Sequence, residues 1–242
     1  MFGGSSYFAS KAAGAEAELI HWYDADDAST FTYSSGTIVS QWDDKVGTNH
    51  VTQGVVANQP TRNATGYNGK GTVSFDGVDN FLSGSAIPEM ATLNFTLFMV
   101  LDVSAGPTPG PPVSFRNPIA NRPDGYFPIF GNGDRYYPGT YPTPLPNRWE
   151  RVTPSDASGR LVITHVCTPT SNTYYHDASN VTFTPPGTQV LLGSDFNAWN
   201  FALRDLSIYW EGNLSEVRVY NKAMTPAEAA LEHSVLISKW GI

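Results

Sequence analysis

Residues 210–242 read WEGNLSEVRVYNKAMTPAEAALEHSVLISKWGI. Leu214, Val217, Val219 and Tyr220, interleaved with Ser215, Glu216 and Arg218, have the alternation of a strand. Thr225 then has the chemistry of an N-cap, with Pro226 at N1 and Glu228 at N3, the capping-box spacing. The pattern predicts a helix over Pro226–Trp240 with Ala230, Leu231, Val235 and Leu236 near one face. Gly241 is placed to stop it. A β protein that closes with one short helix is the arrangement these residues specify.

Composition supports many short strands. The 242 residues include 22 Gly and 18 Pro, which supply turns, and 13% aromatics. A chain this long buries roughly 70–75% of its unfolded surface without disulfides. Net charge is −8, which argues against binding a nucleic-acid backbone. No apolar run reaches the ~18 residues of a membrane span. Met1 opens a segment without a basic region followed by an apolar one, so no signal peptide is expected.

Further strands are expected at Val39–Trp42, Thr72–Phe75, Phe95–Val103, Tyr126–Phe130, Arg160–Cys167, Thr173–His176, Val181–Phe183, Val190–Gly193 and Ser207–Trp210. Cys167, the only cysteine, lies in an apolar run and reads as a buried core thiol. The fold expected is all-β: a two-sheet antiparallel jelly-roll sandwich with a short C-terminal α-helix. Residues 19–242 form one domain. Residues 1–18 form an N-terminal arm, in which Phe2, Tyr7 and Phe8 stand on a Gly/Ser/Ala background too sparse to build a core.

Four stretches carry a resemblance. They are LIHWYDADDASTF (19–31), IVSQWDDKVGTNHVTQGVVANQPT (38–61), GTVSFDGVDNFLSG (71–84) and the terminal GNLSEVRVYNKAMTPAEAA…LISKWGI. In this order they resemble concanavalin A-like lectin/glucanase jelly rolls of the laminin-G-like kind, of the type found in tailed-phage structural proteins. One fold hosts many activities, so the resemblance speaks to fold more than function.

Glycoside hydrolases share that fold, and laminarinase-type members carry carboxylates on one strand, spaced E-x-D-x-x-E. The glutamates at 16, 18, 89, 150, 211, 216, 228 and 232 never make that spacing. Glu211 and Glu216 read as solvated or structural, and the arginines are too scattered for a sialidase-like cluster. No enzymatic activity is therefore expected. The acidic turns Asp24/Asp26/Asp27, Asp43/Asp44 and Asp76/Asp79 offer oxygen ligands, but such residues also close turns on their own backbone. No cofactor is expected beyond a structural calcium, and thermal melts with and without a chelator decide that point. The histidines at 21, 50, 165, 176 and 233 show no ligand spacing, and His233 on the helix is expected to be solvated or interfacial.

Recognition is expected from the Pro- and aromatic-rich segment 121–149. Tyr126, Tyr136, Tyr137, Tyr141 and Trp149 offer flat apolar faces with polar handles, suited to sugars and protein interfaces. Phe196, Trp199 and Phe201 form a smaller second set. The function expected is a structural or adhesive virion protein, a phage decoration, fibre or tail component with glycan binding. The alternatives are a carbohydrate-binding domain of a bacterial surface protein and a glycoside hydrolase. Its partners would be further copies of itself, other virion proteins and a cell-surface glycan. Its location would be the virus particle.

Overall fold

The computed structural model describes residues 19–92, 94–103, 113–114, 126–131, 135–139, 159–169, 172–176, 179–183, 198–205 and 208–242. The arm and the expected strand at 190–193 lie outside them. The strands are β1 (Leu19–Asp24), β2 (Phe31–Ser35), β3 (Ile38–Trp42), β4 (Val51–Thr52), β5 (Thr61–Tyr67), β6 (Lys70–Asp76), β7 (Leu82–Ser85), β8 (Phe95–Val103), β9 (Val113–Ser114), β10 (Tyr126–Gly131), β11 (Arg135–Gly139), β12 (Gly159–Cys167), β13 (Asn172–His176), β14 (Ser179–Phe183), β15 (Ala198–Phe201), β16 (Leu203–Asp205), β17 (Ile208–Tyr209) and β18 (Glu211–Tyr220). One helix, α1 (Pro226–Trp240), follows. No described helix is long and apolar enough to cross a membrane.

The pairings are antiparallel and run in the order β11-β10-β9-β15-β7-β4-β3-β5-β6-β18-β8-β12-β13-β14, with β1 on β18 and β2 on β3. The path folds back on itself as a sandwich. Tyr23 of β1 meets Trp42 of β3 edge-on at 5.9 Å, and Trp199 and Phe201 of β15 at 6.2 and 5.0 Å. The half containing β1, β18, β8 and β12 therefore faces the half containing β3, β4, β7 and β15.

Period-two alternation sorts β8 cleanly. Leu97, Met99 and Leu101 enter the space between the sheets, while Phe98 and Val100 enter a second core under α1 with Val162, Tyr220, Leu236 and Trp240. A strand buried on both faces reads as the near-continuous apolar run of Phe95–Leu101.

Strand β18 is the fork of the sheet. From Gly212 to Tyr220 it runs beside β8, but its other edge pairs first with β6 (Glu211–Leu214) and then with β1 (Glu216–Tyr220). The change falls at a bulge at Ser215, whose carbonyl accepts from the Ala25 N–H at 2.9 Å. A bulge turns a strand and changes its partner in this way.

The helix starts as expected. Thr225 Oγ1 accepts from the Glu228 N–H at 3.3 Å, and the Thr225 N–H donates to Glu228 Oε2 at 2.9 Å. Gly241 ends it at φ 68, its N–H bonded to the Ile237 carbonyl. The buried face differs from expectation. Ala229, Glu232, His233, Leu236 and Trp240 face the sheet, while Ala230 and Leu231 are exposed and Val235 is half-buried. His233, expected at the surface, is buried and bonded to Thr164 Oγ1 at 2.9 Å. Glu232 and His233 can point inward because strand side chains supply their partners, a signal that hydropathy does not carry. Replacing Thr225 by alanine should cost about 1 kcal/mol, read as a lower denaturant midpoint. An unchanged midpoint would show that the cap contributes nothing.

Candidate functional site

Two polar regions lie on the outer face of the β18 sheet. The first is the seam between β1, β18 and α1. Glu216 is buried there among donors: Trp22 Nε1 and Arg218 Nε on Oε1, and Lys239 Nζ and Trp240 Nε1 on Oε2, all at 2.7 Å. Arg218 also bonds Glu232, which accepts from the Tyr220 hydroxyl at 2.7 Å. Lys239 reaches Asp24 at 2.9 Å, and Lys45 stands 4.2 Å from the Trp22 ring centre. Burial would raise the Glu216 carboxyl, but Arg218 and Lys239 outweigh it and hold the group below its ordinary range. Burial likewise opposes the Arg218 charge, and Glu216 and Glu232 overcome it. A carboxylate with both oxygens saturated is not a proton shuttle. This seam fastens the helix to the sheet, so Glu216 is structural, as one of its sequence readings held, and not solvated.

The acidic turns are used by their own surroundings. Asp27 caps a short 3-10 turn at Ser29 and meets Lys45 at 2.8 Å. Asp26 accepts from the Gly71 N–H and Lys70, both at 3.1 Å. Asp44 binds His21 Nδ1 at 2.5 Å and the Trp22 and Val46 N–H groups. Asp76 Oδ1 gathers the N–H groups of Val78, Asp79 and Asn80. Lys45 and Ser29 pull Asp27 down to about 2, and Lys222 and Thr225 pull Glu228 to about 2, from ordinary values of 3.8 and 4.5. Folded-state values below the unfolded ones give stability that is present above about pH 4.5 and lost as pH falls toward 2. The urea midpoint should therefore hold from neutrality to about pH 5 and decline below it. A midpoint still flat at pH 2.5 would contradict these pairings.

The expected contact residues separate. Tyr126 lies on β10, and Tyr136 and Tyr137 on β11, paired with Phe130 and Ile129, so part of the expected loop is a hairpin at the sheet's end. Tyr141, Trp149 and Phe196 lie outside the described residues, as do Phe2, Tyr7 and Phe8. Trp199 is corrected: it has no exposed surface and packs between the sheets on Tyr23 and Phe201. Strand alternation puts it inward, and Phe201, two positions on, shares its burial. Cys167 is buried as expected, and burial pushes its thiol up to about 12.

The second polar region was not visible in the sequence. Strand register places Thr61 opposite Ser74, Ser74 opposite Asn213, Asn213 opposite Asp102 and Asp102 opposite Arg160. Five strands thus contribute one polar side chain each to a ladder beyond the end of α1. Ser74 donates to Asn213 Oδ1. Two residues along on the same face, Asp76 is opposite Glu211. There the ladder meets the Asp76–Asn80 turn. Phe81 follows this turn, its ring 6.2 Å from that of Tyr209, and both are half-buried. The Phe81 N–H bonds the Asn58 carbonyl, which brings the turn carrying Val55 and Val56 alongside. Val55, Val56 and Val78 are all more than half exposed. The result is a polar track that ends on an apolar, aromatic rim.

No protein-family model matches the sequence, and no curated protein matches it. Solved structures do. Trypanosoma rangeli sialidase aligns at 13% identity over 92% of this chain and 33% of its own, with a TM-score of 0.61. The same sialidase in complex with sialic acid gives 13%, 92%, 33% and 0.60. A leech intramolecular trans-sialidase gives 10%, 68%, 27% and 0.53. The chain spans about one third of the sialidases' length, and at these identities the likeness is one of fold. The chain is an all-β sandwich with a terminal helix, and its fold resembles part of these larger sialidases.

The expectation of no enzymatic activity is corrected. The chains whose fold it shares are enzymes. Carboxylates spaced along a single strand are not the only ones a sheet can bring together. Asp76 and Glu211, 135 positions apart in numbering, are brought opposite each other by pairing of β6 with β18.

Proposed function

We propose that this sandwich is a glycan-binding domain whose contact surface is the ladder Ser74–Asn213–Asp102 together with the Phe81/Tyr209 rim. The observation that carries the reading is the junction of hydrogen-bonding side chains in strand register with half-exposed aromatic rings at one end. Sugars need both: their C–H faces pack on rings, and their hydroxyls pair with carboxylates and amides. The aligned sialidase that holds sialic acid supports a sugar as ligand. The test is a glycan array on the whole chain, followed by calorimetry with Phe81→Ala and Asn213→Ala. Each variant should weaken the best ligand at least tenfold with the fold intact. Unchanged affinity in both would sink the assignment of this surface.

One observation favours a second reading, glycoside hydrolysis at the Asp76/Glu211 pair, because paired carboxylates are what such chemistry uses. Release of reducing sugar that disappears in Glu211→Gln, with binding retained, would establish it.

Resemblance to tailed-phage structural proteins supports a placement on a virus particle, with residues 1–18 as the assembly arm. Burial of an aromatic side chain contributes roughly 1.5–3 kcal/mol, enough for Phe2, Tyr7 and Phe8 to anchor an arm on a neighbour. Deleting residues 1–18 should leave the melting temperature nearly unchanged and abolish oligomerisation or incorporation into particles. Normal assembly of the truncated chain would remove this placement.

A further inference from the structure

Arg160 closes the polar ladder and is its least satisfied member. Its side chain is only 3% exposed. The ring of Tyr67 covers its face, with the guanidinium carbon 3.2 Å from the ring centre. Asp102 Oδ2 stands 3.6 Å from Nη2, beyond hydrogen-bond reach, so the pair attracts without a directed bond. No described residue accepts from Nε or Nη1. Burial pushes the guanidinium below its ordinary value, and Asp102 recovers only part of that. Stacking on Tyr67 leaves the in-plane N–H groups to seek acceptors at the edge. A buried guanidinium whose donors lack acceptors is costly, and a carboxylate is the acceptor that best matches it.

We propose that Arg160 receives the carboxylate of an acidic sugar lying along the ladder. This rests on the glycan reading above and names the ligand class. The neighbouring groups fit one task each. Asn213 and Ser74 supply neutral donors and acceptors for hydroxyls. Asp102, one-third exposed, faces hydroxyl donors while keeping Arg160 charged. Access depends on Tyr67. It stands at a two-residue turn, with Asn68 and Gly69 both at positive φ. That turn is tied to the helix end by three contacts: Tyr67 Oη to the Gly241 carbonyl at 3.3 Å, and Asn68 Nδ2 to the Trp240 carbonyl at 3.0 Å and to the Gly241 carbonyl at 3.2 Å. Loosening them lets the ring swing off the guanidinium face and widens the approach to its N–H groups.

The experiment is calorimetry on the whole chain with paired oligosaccharides, sialylated or uronate-containing against their neutral counterparts, for example 3′-sialyllactose against lactose. Wild type should bind the acidic member of a pair at least tenfold tighter, and added salt should reduce the ratio. Free acetate should bind more than tenfold weaker than the acidic sugar, because it makes no ladder contacts. Arg160→Met should bring the ratio close to one. Should that variant fail to fold, the Arg160 Nε–H resonance of wild type, identified with Arg160→Lys, must shift with the acidic sugar and not with the neutral one. Equal affinity for both members of every pair, acetate as tight as the sugar, or an unmoved resonance overturns the assignment to Arg160 and leaves glycan binding standing. Absence of binding to every sugar, neutral and acidic, overturns both.

Discussion

Replacing Glu216 by alanine should destabilise the protein by about 3–5 kcal/mol, the cost of removing one partner from a buried charge pair. Four donors converge on this carboxylate from three elements: Trp22 on β1, Arg218 on β18, and Lys239 and Trp240 on α1. Removal leaves Arg218 and Lys239 with an unbalanced charge below the helix. Glu232 and Asp24 compensate only in part. The effect should be polarised, with α1 and β1 losing amide protection before the strands between them. Native-state hydrogen exchange and a urea titration measure both quantities. A loss below about 1 kcal/mol, the range of a surface ion pair, would mean that water enters the seam. Glu216→Gln should lie between, since its amide still accepts one or two of the four bonds.

Trp199→Ala should cost about 3–5 kcal/mol, the range for deleting a buried aromatic side chain. Trp199 stacks on Tyr23 and meets Phe201 at 5.3 Å inside the sandwich. Its loss opens a cavity that flanking rings cannot refill in staggered rotamers. Any folded fraction should keep sugar affinity unchanged, because the residue does not reach the surface. A variant of normal stability that had lost ligand affinity would return Trp199 to the contact surface. Paired melting and binding measurements separate the two outcomes.

The contrast between these residues shows what a linear sequence exposes. The strand and helix of 210–242 were legible because their signals are local: alternation, a Thr–Pro–Ala–Glu cap and a glycine stop. Asp76 followed by glycine likewise announced its turn. The ladder was not legible, because Ser74, Asn213, Asp102 and Arg160 meet only through the registers of four strands, and register is a property of the assembled sheet. Trp199 was misplaced for a related reason. An aromatic residue has the same composition signature in a core as in a binding face, and only the parity of its strand tells them apart. His233 was expected to be solvated or interfacial because hydropathy ranks a side chain alone, without the partner that makes its burial affordable.

The fork at β18 bears on how the protein is made. Strands β1, β6 and β8 leave the ribosome before β18, yet all three pair with residues 211–220. Until that late segment emerges, each of them presents an open edge. Synthesis therefore passes through a long interval in which apolar runs such as Phe95–Leu101 sit beside unpaired backbone, the condition that favours intermolecular strand exchange. Closure waits for residues 211–220, which join β1 to β18 and bring α1 down over both. Nascent chains stalled short of residue 220 should accumulate as chaperone clients, and those released past Trp240 should fold without assistance.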